Sequence, residues 1–227
     1  MEVKKRFVKE KFDRIVKNYD LVNLIGSFAQ DKLWRKRVSE ELKGCESPLL
    51  DVCCGPFTLS TEIVKKTNCK VWGLDFSFQM LHYGVKKRFR REIYPVCGDA
   101  EQLPFTDETF GGISIAFGFR NLPHRELALE EFFRVLKPKG KLVILEFSQP
   151  KNPLFRPIYF LYLSYYMPLL GGLLTGDKEA YNYLASSIKA FPSPEKVKEM
   201  LEKAGFKKVR YFPMTMGVVH LHIATKP

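Results

Sequence analysis

Within residues 3–19, Val3, Phe7, Val8, Phe12, Ile15, Val16 and Tyr19 fall near helical spacing with Lys and Arg between them. The chain is therefore expected to begin with a basic amphipathic helix. A second helix is expected over 31–42, after the turn-like Gly26-Ser27. From Pro48 the pattern changes to short apolar runs alternating with amphipathic stretches. Strands are expected at 48–53, 70–75, 93–98, 111–117 and 140–147, and helices at 59–67, 77–90 and 125–136. Ser77 suits an N-cap, and Pro138 with Gly140 should stop the last of these helices. The rhythm breaks at 157–176, a run without a single charge. Its length would allow a membrane span. However, Pro168, Gly171 and Gly172 should interrupt it, and Tyr159, Tyr162, Ser164, Tyr165 and Tyr166 dilute it with polar tips. The better reading is an aromatic helical insertion that covers an apolar ligand or dips into a lipid interface. After Ser193-Pro194 a helix should run to Ala204, followed by two strands, 206–212 and 218–225, paired as a hairpin at the sheet edge.

Strands alternating with helices predict an α/β fold with a Rossmann-like sheet. Seven strands are expected, mostly parallel, with the antiparallel hairpin at the C-terminal end. Residues 1–227 read as one domain, with 1–44 as an N-terminal helical cap and 151–192 as the insertion. A chain of 227 residues easily buries one core of that size.

Composition adds two constraints. The net charge of +12 favours an anionic partner, whether a polyanion, a lipid surface or a small ligand. The five cysteines (Cys45, Cys53, Cys54, Cys69, Cys97) form no CxxC pair and have no nearby His at ligand spacing. They read as reduced, buried thiols of a cytoplasmic protein, with neither a disulfide frame nor a metal site. The start, Met1-Glu2-Val3-Lys4-Lys5-Arg6, leads into no apolar stretch of the kind a secretory signal needs.

Candidate chemistry lies at the ends of the first three strands. Asp51, Asp75 and Asp99 recur at an interval of 24 residues, each closing an apolar run. A strand with its returning helix takes about that length, so the three carboxylates should share one carboxyl edge, where open α/β sheets bind ligands. Asp75 is placed to accept from both hydroxyls of a ribose, and Asp99-Ala100 to meet an adenine amine beside a small residue. The first turn, Asp51-Val52-Cys53-Cys54-Gly55-Pro56-Phe57-Thr58-Leu59-Ser60, holds a glycine but no G-x-G-x-x-G and no phosphate-cradling Lys-Ser/Thr. A nucleoside without phosphates is indicated, and S-adenosylmethionine is the cofactor that matches. Gly55 and Ser60 are candidates for its methionine end.

The motifs become specific further along. Tyr19-Asp20-Leu21-Val22-Asn23 with Ser27 and Trp34, Phe117-Gly118-Phe119-Arg120-Asn121, Arg134 to Pro138, Leu145 to Ser148, Tyr181-Asn182-Tyr183-Leu184 with Ser187, and Gly217-Val218-Val219 with His222 follow one another in order. Over nearly its whole length the chain resembles the UbiE/MenG family of quinone-biosynthesis C-methyltransferases, which have a class I methyltransferase fold. The resemblance implies transfer of a sulfonium methyl to a ring carbon of a polyprenylated quinol. In that reaction Arg120 would steady the phenolate, Asn121 would orient it, and Tyr19 and His124 would join the proton path. An alternative for Arg120 is a structural ion pair with Asp99 or Glu146.

Several residues depart from the family pattern. Pro56, Phe57 and Thr58 stand in the first loop where the family has Thr, Gly and Asp. Ala116, at the strand-four edge of the cofactor site, replaces a polar residue. His124 replaces an Asp, and Asp31 a His. The insertion and the basic helices suggest peripheral contact with the inner face of a membrane, from which a quinol tail would be drawn. A homo-oligomer is left open. A nucleic-acid substrate is disfavoured, because no N/D-P-P-Y/F tetrapeptide follows strand four and the insertion is apolar. A non-catalytic scaffold of the same fold is the remaining alternative, with Phe57 as its best support.

Overall fold

The computed structural model describes residues 2–88 and 90–227, with side chains from Lys5 onward. Phe89, in the expected helix 77–90, and the side chain of Val3 lie outside the described residues. Seven strands form one sheet: β1 (Leu49–Val52), β2 (Val71–Asp75), β3 (Ile93–Cys97), β4 (Phe110–Ala116), β5 (Leu136–Phe147), β6 (Lys207–Met214) and β7 (Val219–Thr225). Their order is β3-β2-β1-β4-β5-β7-β6. The first five run parallel, while β7 lies antiparallel between β5 and β6. The order reverses beside β1, so a crevice opens at the carboxyl ends of β1 and β4.

Burial explains the composition of the strands. Every residue of β1 and β4 is buried, as expected for parallel strands covered on both faces. On one face Leu50, Leu74, Ile113 and Ile144 pack against α6 (Arg125–Val135) and α9 (Pro194–Lys203). On the other, Leu49, Val71, Val143 and Leu145 pack against α3 (Gln30–Glu41), α4 (Thr58–Thr67) and Leu81 of α5 (Phe78–Arg88). The expected cap at Ser77 forms, its Oγ accepting from the Met80 N–H (3.0 Å), and the structure adds a second, Ser193 Oγ accepting from the Lys196 N–H (3.3 Å).

A third apolar cluster joins α1 (Glu2–Ile15), α2 (Tyr19–Gly26), α7 (Phe155–Thr175) and α8 (Lys178–Lys189) through Ile15, Val22, Tyr159, Leu163, Met167, Tyr181 and Ile188. Here the structure departs from the sequence expectations. The first helix stops at Ile15, and α2 is a separate helix that the spacing does not reveal, because the break is made by tertiary contact. The Asn18 amide donates to the Leu174 carbonyl of α7, turning the chain at 16–18. The uncharged run is not interrupted by Pro168, Gly171 or Gly172. A π-helical turn at Tyr162–Tyr166 precedes Met167, so the missing Pro168 N–H falls where helical bonding has already shifted register. Gly171 admits the Tyr181 ring, which a Cβ would meet at 1.9 Å. Further along, α6 ends at Val135 and β5 begins at once. Leu136 pairs with Phe110 and Lys141 with Gly112, so Pro138, Lys139 (φ 64°) and Gly140 form a bulged excursion inside the strand. All five cysteines are free, but only Cys54 is buried and Cys97 is exposed, because alternate β3 residues face outward.

Candidate functional site

Two cavities meet above the carboxyl edge of the sheet. The smaller, about 100 Å³, is lined by Gly55, Asp75, Asp99, Ala100, Ala116 and Asn121, with Lys5, Lys9 and Phe12 of α1 across its mouth. The larger, about 340 Å³, is almost wholly apolar and aromatic, and is enclosed by α1, α2, α3, α7 and α8. Phe12, Tyr19 and Phe117 line both, so these three side chains form the wall between them.

The acidic cleft is built by hydrogen bonds within the sheet edge. Asp75 Oδ2 accepts from the Gly55 N–H (2.8 Å), and Oδ1 from the Ser77 N–H (2.8 Å), which ties the end of β2 to the first loop and to the start of α5. Although Asp75 opens on the cleft, the protein packed around it strips enough water to push its carboxyl up to about 6. Asp99 accepts from the Glu101 N–H (2.9 Å) and pairs with Lys5 Nζ (2.6 Å). Asp51 does not reach the cleft. It is buried in β1, where it accepts from the hydroxyls of Ser60 (2.6 Å) and Ser114 (2.8 Å), and burial pushes its carboxyl up to about 6. Ser60 is therefore also turned inward, locking α4 to β1.

The first loop carries Cys53, Gly55 and Phe57 at φ 53°, 55° and 62°, and for the two non-glycine residues this conformation is held against strain. Phe57 points neither into the cleft nor outward. Its ring is 1% exposed and fills a slot made by two glycines: a Cβ at Gly73 would meet it at 2.8 Å and one at Gly84 at 2.6 Å. The Gly55 backbone remains open to the cleft, with nothing within 4 Å of a built Cβ. A cleft walled by carboxylates and open backbone suits a ribose diol and a positively charged sulfonium, so the residues present fit S-adenosylmethionine.

The loop after β4 sits where the cavities meet. Phe117 adopts φ 60°, and its carbonyl accepts from the Arg120 guanidinium. Arg120 also donates to Glu146 Oε1 (2.9 Å) and to Ser187 Oγ (3.3 Å), and its N–H to Glu146 Oε2 (3.0 Å). The structural pairing considered for Arg120 thus exists with Glu146, and not with Asp99. Asn121 Oδ1 accepts from the Tyr183 hydroxyl (3.2 Å), which explains why the Tyr181–Leu184 and Ser187 motifs accompany Arg120-Asn121 in the sequence. Arg120 lines the apolar cavity, Asn121 the acidic cleft, and Tyr19 both. His124 lines neither. Its N–H donates to Glu101 Oε1 (2.7 Å) and its Nδ1 lies 3.2 Å from Oε2.

Motif reading did not mark Lys5, Arg35, Phe147 or Tyr159 as site residues. Arg35 and Tyr159 are buried polar side chains in the apolar wall, and the Arg35 Nε and Tyr159 hydroxyl have no hydrogen-bond partner among the described residues. Arg35 stands one position after the quoted Trp34, which is the only local signal it carried.

The comparisons with known proteins agree with this geometry. Residues 1–226 match the ubiE/COQ5 methyltransferase family. Demethylmenaquinone methyltransferases of Staphylococcus haemolyticus and Staphylococcus aureus are 41% and 42% identical over 227 and 228 residues, covering 98% of this chain and 95% and 94% of theirs. Among solved structures, a Thermotoga maritima S-adenosylmethionine-dependent methyltransferase superposes with TM-score 0.68 at 20% identity, covering 96% of this chain and 99% of that one. Phosphoethanolamine N-methyltransferase 2 of Haemonchus contortus, solved with S-adenosylmethionine, superposes at 0.63 and 14% identity, over 85% of this chain and 52% of that one. These two likenesses speak for the fold. The motif order, the acidic cleft beside an apolar cavity and the match along the whole chain have one reading: the chain belongs to the ubiE/COQ5 methyltransferase family and is an S-adenosylmethionine-dependent methyltransferase.

Proposed function

We propose that the protein transfers a methyl group from S-adenosylmethionine to a ring carbon of a polyprenylated quinol. The observation that carries this reading is the shared wall at Tyr19 and Phe117, with a polar acidic cleft on one side and a large aromatic cavity on the other. The names of the staphylococcal relatives support demethylmenaquinol, rather than a benzoquinol, as the acceptor.

When bound, S-adenosylmethionine supplies an electrophilic methyl. Asp75 would accept from the ribose hydroxyls, Asp99 from the adenine amine beside Ala100, and the Gly55 backbone would hold the methionine end, with Ala116 flooring the cleft. Asp51 and Ser60 act beneath the loop by fixing it, not by touching the ligand. Arg120, held by Glu146, would steady negative charge on the ring oxygen, with Asn121 and Tyr19 orienting the ring at the wall. Because His124 is engaged with Glu101 outside both cavities, it would contribute only by bracing the Glu101–Lys5 contact over the cleft.

In this reading residues 1–44 cap the site and 151–192 cover the acceptor. A peripheral membrane role is supported by α7, which is apolar and long enough to cross a membrane by length and composition. It exposes Ile158, Leu161, Tyr165, Leu169 and Leu173 along one side, and Phe28 extends the patch beside the cavity. The test of the whole reading is incubation with methyl-labelled S-adenosylmethionine and a reduced short-chain demethylmenaquinol. The product should be extracted into organic solvent with the label on the ring carbon; label on oxygen, or none, would reject the assignment.

A further inference from the structure

Among the described residues, Asp31 is the one carboxylate that lines the apolar cavity. It lies in the first turn of α3 and is 8% exposed. Ser27 Oγ donates to its Oδ1 (3.2 Å) and accepts from its N–H (3.1 Å), which fixes the rotamer. The Arg35 Nε forms a buried ion pair with Oδ2 at 3.8 Å but makes no hydrogen bond among the described residues, so Oδ2 is left able to accept one. The Arg35 guanidinium in turn lies 5.4 Å from the centroid of Phe117, the residue shared by both cavities. A carboxylate thus stands one side chain away from the wall where a methyl group must cross.

We propose that Asp31 is the proton acceptor for the hydroxyl of the acceptor ring. The inference rests on the quinol reading above. The other ionisable groups facing the cavity cannot take that part. Lys11, from α1, is paired with Asp177 and Glu179, and Arg120 is paired with Glu146; both are cations. Burial raises the hydroxyls of Tyr159 and Tyr162 on α7 and pushes that of Tyr181 on α8 up to about 12, so they stay protonated at neutral pH. Tyr183, raised by burial as well, is already donating to Asn121. Tyr19 lines the wall between the two cavities, where it is placed to orient the ring.

The step balances as follows. The ring O–H bond breaks, and its proton passes to Asp31. The electron pair left on oxygen enters the ring, whose carbon bonds the methyl as the sulfur–methyl bond breaks with its pair on sulfur. The hydrogen on that carbon then moves as a proton to the ring oxygen, restoring aromaticity. Asp31 gives its proton to solvent, so one proton is released per methyl transferred.

Two variants test the role. Asp31→Asn should stay folded, with a melting temperature lowered because Arg35 loses its charge partner, and should bind a reduced short-chain naphthoquinol as tightly as the parent, measured by tryptophan quenching, while kcat falls by roughly 10²–10⁴-fold. Asp31→His, which puts another proton acceptor at the same position, should keep activity but move the acid limb of kcat/KM up to about pH 6.5, where imidazole loses its basicity. An Asn variant within about threefold of the parent in kcat, or one that loses quinol binding instead, overturns the proposal, because a general base acts on turnover. So does a His variant with the parental pH limb. Failure of the parent enzyme itself to methylate the quinol would strike the substrate reading and not this residue.

Discussion

Arg120 and Glu146 are buried together, their side chains 6% and 1% exposed and joined at 2.9 Å. Replacing Arg120 with Ala should abolish turnover without loss of S-adenosylmethionine binding. It should also destabilise the fold by about 3 kcal/mol or more, since Glu146 is left charged in the interior. Adding Glu146→Gln should recover most of that stability but none of the turnover, as denaturant titration and a methyl-transfer assay would show. Turnover returning with stability would make Arg120 purely structural. Asp75 sets a second residue-level expectation. Burial raises its carboxyl to about 6, and a bound sulfonium and ribose favour the ionised form. Cofactor affinity should therefore weaken as pH falls through about 6 and be flat above it. Asp75→Asn should bind weakly at every pH, and calorimetry from pH 5 to 8 would reveal a pH-dependent Asn variant if the assignment were wrong.

At the scale of elements, the first loop shows how a departure from a motif is absorbed. Phe57 stands where relatives would carry glycine, yet its ring leaves the ligand side and packs between Gly73 of β2 and Gly84 of α5. A methyl group at Gly84 would lie 2.6 Å from the ring and 2.9 Å from the Pro56 carbonyl carbon. Gly84→Ala is expected to cost about 1–3 kcal/mol. Combined with Phe57→Leu it should cost less than the two single changes added together, because both act on one slot. Strict additivity in thermal or denaturant unfolding would show that the slot is not shared. The strand positions and the cap at Ser77 were legible because they depend on local patterning. The α1–α2 break and the uninterrupted α7 were not. One is made by Asn18 reaching α7, and the other by a π-turn ahead of a proline, and neither leaves a periodic trace.

At the scale of the molecule, one side of α7 remains uncovered: Leu161, Leu169 and Leu173 are 61%, 61% and 77% exposed. Phe28, between α2 and α3, stacks on Tyr166 at 6.2 Å, which carries the patch to the mouth of the apolar cavity. With a net charge of +12, vesicles containing anionic lipid are the expected partner. The protein should float with such vesicles, and a variant with Leu161→Glu, Leu169→Glu and Leu173→Glu should not, while still methylating a short-chain quinol in solution. Equal flotation of the two proteins would place the contact elsewhere.

Sequence by itself determined the strand succession, the carboxylates at the strand ends and the family, because each is written in local patterns: alternation, run length and contiguous motifs. Tertiary structure decided which of those groups can touch a ligand. Asp51 and Ser60 are turned into the interior, Asp75 and Asp99 open on the cleft, and His124 is drawn off to Glu101. It also brought Arg35 of α3 onto Phe117 at the shared wall, with Asp31 one side chain behind it, although more than 80 residues of chain separate them from Phe117. Spacing along a chain places a side chain on an element. Only packing decides what that side chain faces, and whether water remains beside it.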